Sequence, residues 1–489
     1  MTEKVCIIGA GSSGLAAAKI FHERGISFDC YEMSSGLGGL WRYNNETDRS
    51  PAYESLHTNT SRKKTAYSDF PMPASYPDYP HHSEMLAYFE SYVDHFGFRH
   101  KIVFRTRVEQ VEPVEQVEPI EQVEPTEQVE PIGQVEPIER VNPIERIQTG
   151  EVVDSSGAGR SYDVTIRSLD TGEATTHRYR ALVVASGHHW KPNFPSYAGE
   201  FSGRAMHSHA YRTPDIAAGE RVLIVGVGNS ACDIACEVCE TASKTYLSTR
   251  RGAHVIPKYL LGRPTDTWLT PLSARLPLSV RTALFRLLIF LTQGRQKSYG
   301  FPTPDYGLAS AHPTISSTIL SRVKGGSIIP KPDIDALQGS SVRFVDGSAE
   351  EIDLIIYATG YVTTFPFLSF IETRDNRLPL YLHMAHPDHP NLFFLGLVQP
   401  LGAFAPTAEA QARWVADLLD GSADLPPEAE MRRKMQGDEE RRQRRYVDSK
   451  RHRIEIDYYP YVWDIQRERR MGRARVRQRA STEAATEPA

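Results

Sequence analysis

The chain has 489 residues, a formal net charge of −5, and 40% hydrophobic and 24% charged side chains, a composition that suits two or three globular units with cores of their own. Five cysteines, an odd number in so long a chain, fit free thiols in a reducing cytoplasm better than a disulfide framework. The longest apolar run, around residues 283–291, is broken by Arg286 and is far shorter than the ~20 residues of a spanning helix. The first residues, MTEKVCIIGAG, enter a strand at once, which leaves no room for a secretory leader and makes a cytoplasmic location the expectation.

In chain order, residues 5–25 (VCIIGAGSSGLAAAKIFHERG) read as an apolar strand, a glycine turn and an Ala-rich helix, and FDCYE reads as the next strand, ending in Glu32. KIVFRTRV (101–108) and SYDVTIRSL (161–169) are strand-like and bracket a hexapeptide array at 108–148 that begins VEQVEPVEQVEP. The array holds eleven Glu against two Arg. Its period matches no solenoid repeat. A proline in every hexapeptide forbids a helix and interrupts a central strand, so the array is expected to be an extended or disordered insertion at a hairpin tip, without a catalytic role. Residues 221–239 (RVLIVGVGNSACDIACEVC) repeat the opening plan, KTYLSTRR ends in Arg250 and Arg251, and EIDLIIYATGY (351–361) supplies a third strand-like run. The alternation predicts an α/β fold of parallel sheets with helices on both faces.

The two openings predict two dinucleotide-binding, Rossmann-like domains. In the first, Gly9, Gly11 and Gly14 have the spacing Gly-x-Gly-x-x-Gly. Gly9 permits the tight turn, Gly11 the close approach of backbone to a pyrophosphate, and Gly14 the packing of helix on strand, while the helix N-terminus attracts the phosphate. The intervening Ala10, Ser12 and Ser13 share that turn. Glu32 stands where an acid hydrogen-bonds ribose hydroxyls and would repel a 2′-phosphate, so this site predicts FAD or NAD. The second cradle is Gly226, Gly228 and Ala231. Glu32 lies 23 positions after Gly9, and Arg250 lies 24 after Gly226, so the acid of the first unit is replaced by a base in the second. Arg pairs bidentately with phosphate, and Arg250 and Arg251 therefore predict NADPH. Two dinucleotides on one chain imply hydride transfer through a flavin.

Two routes for the electrons remain open from the residues alone. Cys236-x-x-Cys239 has the spacing of a redox dithiol, as in a disulfide reductase. Cys232, Cys236 and Cys239, however, fall at i, i+4 and i+7 of one helix, the face expected to pack on the sheet as small hydrophobes. No spacing of His, Cys, Asp or Glu suggests a metal site.

FSGRAMHSHAY (201–211) carries Phe201, Gly203, His207 and Tyr211, and this stretch resembles the signature of the class B flavin-containing monooxygenases. The related Baeyer–Villiger monooxygenases have Trp at the position of Tyr211. GLGGLW (36–41), YESLHTNTSRKKTAYSDFPMP (53–73), ASGHH (185–189), ATGY (358–361) and LGLVQPLGAFAPTAEAQARW (395–414) resemble further family segments in the same order, over all but the array and the tail.

The resemblance implies an NADPH- and O₂-dependent oxygenase of the dimethylaniline monooxygenase type, in which NADPH reduces FAD and reduced flavin forms a C4a-hydroperoxide. A soft nucleophile, the nitrogen of an amine or the sulfur of a sulfide, then takes the distal oxygen. By the same match Asn59 is the catalytic asparagine, an uncharged amide with donor and acceptor faces. Thr58 and Thr60 flank the cofactors, Leu40 and Trp41 line the flavin, and Ser230, Ala231, Cys232 and Asp233 begin the NADP helix. Thr359 and Gly360 sit at an interdomain crossing, Gln399 is a further cofactor-binding candidate, and His207 and Tyr211 pin the linker where both cofactors meet. The alternatives are ketone oxygenation, an NADPH oxidase that releases H₂O₂, and a flavoprotein without activity.

The expected boundaries are a first FAD part at 1–190, a linker at 191–215, an NADPH domain at 216–340 with an insertion at 255–320, a second FAD part at 341–450 and a basic tail at 451–489. Residues 467–479 hold seven Arg against one Glu and read as a frayed or helical extension, with no nucleic-acid partner expected. Mammalian members of the family carry a hydrophobic C-terminal anchor, whereas RARVRQRASTEAATEPA cannot anchor in a bilayer. The apolar stretch at 279–291 suits contact with a membrane surface or with the partner subunit of a homo-oligomer.

Overall fold

The computed structural model describes residues 4–114, 161–446 and 454–486. Two all-parallel five-stranded sheets organise it. In the first, Val5–Ile8 lies between Phe28–Tyr31 and Ala181–Val184, with Ile102–Val103 and Leu392–Phe394 at the edges. In the second, Arg221–Val225 lies between Lys244–Ser248 and Leu354–Tyr357, with Ile329–Lys331 and Arg204–His207 at the edges. The central strands are buried on both faces, as near-continuous apolar runs require in a parallel sheet. The helices Ser12–Glu23 and Asn229–Val238 follow the two central strands, so the units are built alike, as the paired fingerprints predict.

Strand pairing moves two expected boundaries. Leu354–Tyr357 pairs with Val222–Val225, and Ser341–Phe344 belongs to a four-stranded sheet with Ala198–Phe201 and Ile334–Gly339. The second unit therefore includes the strands of the linker and runs on to Tyr357, and the chain returns to the first unit after that, not at residue 341. The segment expected as a frayed or helical extension is helical, and it packs on the first unit. Glu455–Asp457 pairs with Gln399–Leu401, and Tyr458–Thr486 is one helix packed on the helix Ala405–Leu419 of the first unit.

The first hexapeptide of the array is strand. Thr106–Val114 pairs antiparallel with Ser161–Ser168, and Pro113 lies opposite Tyr162. It is an edge strand, where a residue without an N–H is tolerated, and Val108 and Val111 enter the core. Residues 115–160 of the array and hairpin lie outside the described residues. The insertion closes on itself, since Val255–Ile256 pairs with Thr314–Ile315. Between these strands runs the helix Leu278–Gln293, none of whose residues is buried. Among the described residues no helix is long and apolar enough to cross a membrane.

The C-terminal helix is held by charge. Asp417 is fully buried and accepts from Arg24 Nη1 at 2.7 Å and Arg469 Nε at 2.6 Å, with Arg473 at 3.2 Å. Burial alone would raise its carboxyl, but the guanidiniums of Arg469 and Arg24 outweigh it and hold the group below the usual carboxylate range. Removing one member of a buried ion cluster leaves uncompensated charge. We expect Asp417→Ala to lose roughly 3–5 kcal/mol of stability, read as a lower Tm. Because the folded carboxyl is depressed, its contribution is complete above the unfolded value of about 4 and fades as pH falls through the folded value. The Tm difference between parent and variant should therefore shrink on acidification.

Candidate active site

Each glycine fingerprint is pressed against a strand crossing. Gly9 has φ +101°, and a Cβ there would stand 2.8 Å from the Ala185 carbonyl oxygen. Gly226 has φ +124°, and its Cβ would stand 2.5 Å from the Ala358 carbonyl oxygen. Gly14 lies on the Gly9 carbonyl, 1.8 Å from where its Cβ would be, so helix and turn meet with no room for a methyl. Gly11 and Gly228 are the N-caps of their helices, and no side chain caps either one. Both N-termini thus offer free N–H groups and the positive end of the helix dipole to an anion. The turn at 38–41 completes the first cradle: Gly38 N–H donates to the Ala10 carbonyl at 3.0 Å, and Leu40 and Trp41 follow in the short helix Gly39–Trp41.

The terminal charges stand just beyond the second strand of each unit, Phe28–Tyr31 and Lys244–Ser248. Glu32 is buried. Its Oε2 accepts the Ala10 N–H at 2.7 Å, and its Oε1 accepts the Ser34 N–H at 2.9 Å and hydroxyl at 2.8 Å. This fixes the carboxylate while leaving lone pairs for ribose hydroxyls. Arg250 and Arg251 are exposed and have no ion-pair or hydrogen-bond partner among the described residues, so both guanidiniums are free to meet a phosphate.

Both cradles open into one cavity of about 2500 Å³. Its wall includes Gly9, Gly11, Ser12, Ser13, Glu32, Leu40, Trp41, Thr58, Asn59 and Thr60 from the first unit. From the second come Gly226, Gly228, Ser230, Ala231, Arg250 and Arg251, joined by Thr359, Gly360 and Gln399. The crossings are tied to each other across the wall: Thr359 Oγ1 donates to the Asn193 carbonyl at 2.6 Å, and Asn193 N–H donates to the Gly360 carbonyl at 3.0 Å. The residues present fit the two dinucleotides: the cradles exclude side chains, the helix ends lack caps, and the strand-end charges have opposite sign.

Six expected cofactor contacts do not reach the cavity wall. Ala10 and Gly14 lie beneath the first turn and act through backbone. Cys232 is buried in the core, its thiol 3.9 Å from the Val227 carbonyl. Asp233 accepts the Tyr53 hydroxyl at 2.8 Å. Tyr211 is fully buried and donates to Glu237 Oε2 at 2.8 Å. His207 is buried in the strand opposite Tyr357, and burial holds its imidazole down to about 4, neutral at physiological pH. These groups brace the site. Tyr53 and Ser55, whose hydroxyl also donates to Glu237, bolt the segment carrying Asn59 onto the helix Asn229–Val238 of the other unit. Burial pushes Glu237 up to about 7. Tyr53, Ser55 and Glu237 were absent from the expected set, because contacts between segments far apart in sequence leave no periodic signal.

Asn59 lines the cavity with its Oδ1 buried and without a hydrogen-bond partner, as are Thr58 Oγ1 and Ser61 Oγ beside it. Cys236 and Cys239 are half-buried free thiols packed against the second core. Burial pushes Cys236 up to about 12, the reverse of what a redox thiolate needs. Among the described residues no group of three His, Cys, Asp or Glu side chains could hold a metal.

Fold and site define a flavoprotein with separate cradles for two dinucleotides. The model of the flavin-binding monooxygenase-like family matches residues 2–131 and 147–471. Flavin-containing monooxygenase 5 of Cavia porcellus is 33% identical over 483 residues, 95% of this chain and 82% of that protein. Dimethylaniline monooxygenase [N-oxide-forming] 2 of Oryctolagus cuniculus is 32% identical over 482 residues, with the same coverage. Among solved structures, S-allyl-L-cysteine S-oxygenase from Allium sativum shares the fold at TM-score 0.66 and 22% identity, over 99% of this chain and 94% of its own. Cyclohexanone monooxygenase from Rhodococcus sp. Phi1 bound to NADP⁺ does so at TM-score 0.62 and 17% identity, over 95% and 96%. The chain belongs to the flavin-binding monooxygenase-like family: it is a monooxygenase, and FAD and NADPH are its cofactors.

Charge-assisted hydrogen bonds contribute roughly 1.5–3 kcal/mol each. We expect Arg250→Ala to lower the preference for NADPH over NADH about 10- to 100-fold, measured as the ratio of kcat/KM for flavin reduction. An unchanged ratio would show that the guanidinium does not read the 2′-phosphate.

Proposed function

We propose that the enzyme uses NADPH and O₂ to oxygenate the nitrogen or sulfur of a small soft nucleophile, with FAD seated on the Gly9–Gly14 turn and NADPH on the Gly226–Ala231 turn. The observation that carries this is the twin cradles of opposite terminal charge opening into one cavity, with Asn59 in its wall. Bound FAD, once reduced by NADPH, supplies the activation of O₂. The protein supplies position and exclusion of water. Glu32 orients the flavin nucleotide by its ribose, Arg250 and Arg251 hold the 2′-phosphate of the second, and the Thr359–Asn193 tie keeps the two nucleotides in register.

Asn59 orients the nicotinamide and the activated oxygen by hydrogen bonds and brings no acidic proton that would expel peroxide. Tyr53, Ser55 and Tyr211 keep its segment in place through Asp233 and Glu237. The enzyme is placed in the cytoplasm on the same reading.

The reading is tested by following NADPH oxidation with amines, sulfides and ketones while peroxide is measured in parallel. Product equal to NADPH consumed with amines or sulfides supports it. Turnover of ketones alone would make the enzyme a Baeyer–Villiger oxygenase, and peroxide equal to NADPH with every compound would make it an oxidase. By analogy with the loss of one aimed donor in an active site, Asn59→Ala should lose about 10²- to 10³-fold in oxygenated product. NADPH oxidation should persist in this variant, and peroxide should rise to match it.

A further inference from the structure

One helix of the insertion borders the cavity and is tied near each of its ends. Of its two charged residues, Arg281 and Arg286, Arg281 alone makes an ion pair among the described residues, its Nη2 donating to Asp457 Oδ2 at 3.3 Å. At the other end Gln293 Nε2 donates to the Val255 carbonyl at 3.2 Å, within the insertion itself. The helix also packs on the short strand Tyr259–Leu260. Between the two ties Leu284, Phe285, Leu287, Leu288 and Leu291 line the cavity. No residue of the helix is buried, and Leu284, Leu287 and Leu291 are 56%, 54% and 70% exposed.

The partner of Arg281 comes from a distant part of the chain. Asp457 ends the strand Glu455–Asp457, opposite Leu401 of the strand Gln399–Leu401, and both Asp457 and Leu401 line the cavity. Arg445 grips the carboxylate with both prongs, Nη1 at 2.5 Å from Oδ2 and Nη2 at 2.8 Å from Oδ1, a bidentate geometry that fixes it in place. Burial alone would raise the Asp457 carboxyl, but Arg445 and Arg281 outweigh it and hold the group below the usual carboxylate range. Arg281 adds a single long hydrogen bond to an anion already held, so it is the weaker of the two joints. The residues before the helix are tied to the same C-terminal element: the Lys64 ammonium and the Tyr459 hydroxyl both donate to the Leu269 carbonyl, and Arg275 lies over the Trp463 ring. Leu278–Gln293 itself reaches that element by a side-chain hydrogen bond only through Arg281.

Resting on the monooxygenase reading above, we propose that Arg281 is a positioning residue: its bond to Asp457 sets where the helix Leu278–Gln293 stands, so that Leu284, Leu287 and Leu291 form the wall that holds the apolar part of the substrate. Covering those leucines with an apolar chain takes their surface out of water. A helix already held in register offers that surface at once, whereas a loose one must be ordered at the expense of binding. A loose wall also admits water to the site where oxygen is activated. The last strand of the chain thus acts on substrate choice without touching the reacting atoms.

Arg281→Met keeps the apolar stem and removes the charge, while Arg281→Lys keeps the charge. The holoenzyme is assayed with N,N-dimethyloctylamine against trimethylamine, or with methyl octyl sulfide against dimethyl sulfide, whichever class the parent oxygenates. The ratio of kcat/KM for the long compound to that for the short one should fall roughly three- to tenfold in Arg281→Met, through KM and not kcat. Peroxide per NADPH consumed should rise, and Arg281→Lys should restore much of the ratio. NADP⁺ affinity and the rate of flavin reduction should match the parent. Peptides covering 278–293 should exchange their amide hydrogens faster in Arg281→Met than in the parent. An unchanged ratio, or an equal loss for long and short compounds, overturns the proposal. If the parent oxygenates neither class, the function proposed above fails, while the exchange measurement still judges the tie: equal exchange in parent and Arg281→Met overturns it.

Discussion

The site depends on two carbonyl oxygens, those of Ala185 and Ala358, each occupying the space where a side chain of the adjacent fingerprint glycine would be. This contact makes the phosphate turn and the strand crossing one piece of backbone in each unit. The crossings in turn are joined through Thr359, Asn193 and Gly360. The relative placement of the two cradles is thus set by main-chain contacts and one threonine hydroxyl, and the charged side chains that differ between them, Glu32 and Arg250, stand just beyond the ends of the neighbouring strands.

A second set of contacts works across the units. The hydroxyls of Tyr53, Ser55 and Tyr211 all end on two carboxylates of one helix, Asp233 and Glu237. Networks of this kind stiffen the segments they join when every member is satisfied. They explain why a stretch such as 201–211 can matter to chemistry without touching a cofactor: its tyrosine fixes the helix on which the asparagine segment is hung.

The glycine turns and their terminal charges were legible in the sequence because their function requires fixed spacing along one strand and one helix. Glu32 and Arg250 could be matched by counting. The errors fall where spacing carries no information. Cys232 and Asp233 follow the second fingerprint directly, yet helical geometry turns them toward the core and toward Tyr53. Tyr211 belongs to a recognisable motif, but burial at its own site, not proximity to a cofactor, sets its role. The strand Leu354–Tyr357 was visible as an apolar run. Its membership of the second sheet was not, since a strand names its partner only through contacts made in three dimensions. The last helix reads as surplus charge until Asp417, fifty-two residues before Arg469, is seen to be buried among Arg469, Arg473 and Arg24.

The discontinuity of the first unit has a consequence for the order in which the chain acquires structure. The second unit is continuous from Ala198 to Tyr357 and can close as soon as that stretch has left the ribosome. The first cannot: its edge strand Leu392–Phe394 and Arg469 and Arg473, which join Arg24 on Asp417, all follow the second unit in the chain. The strand Val5–Ile8, made first, must therefore wait through most of translation with its apolar faces only partly covered. The inserted unit is a finished body around which the older half of the chain is later sealed, and the docking of the arginine-rich helix is the step that ends this interval of exposure.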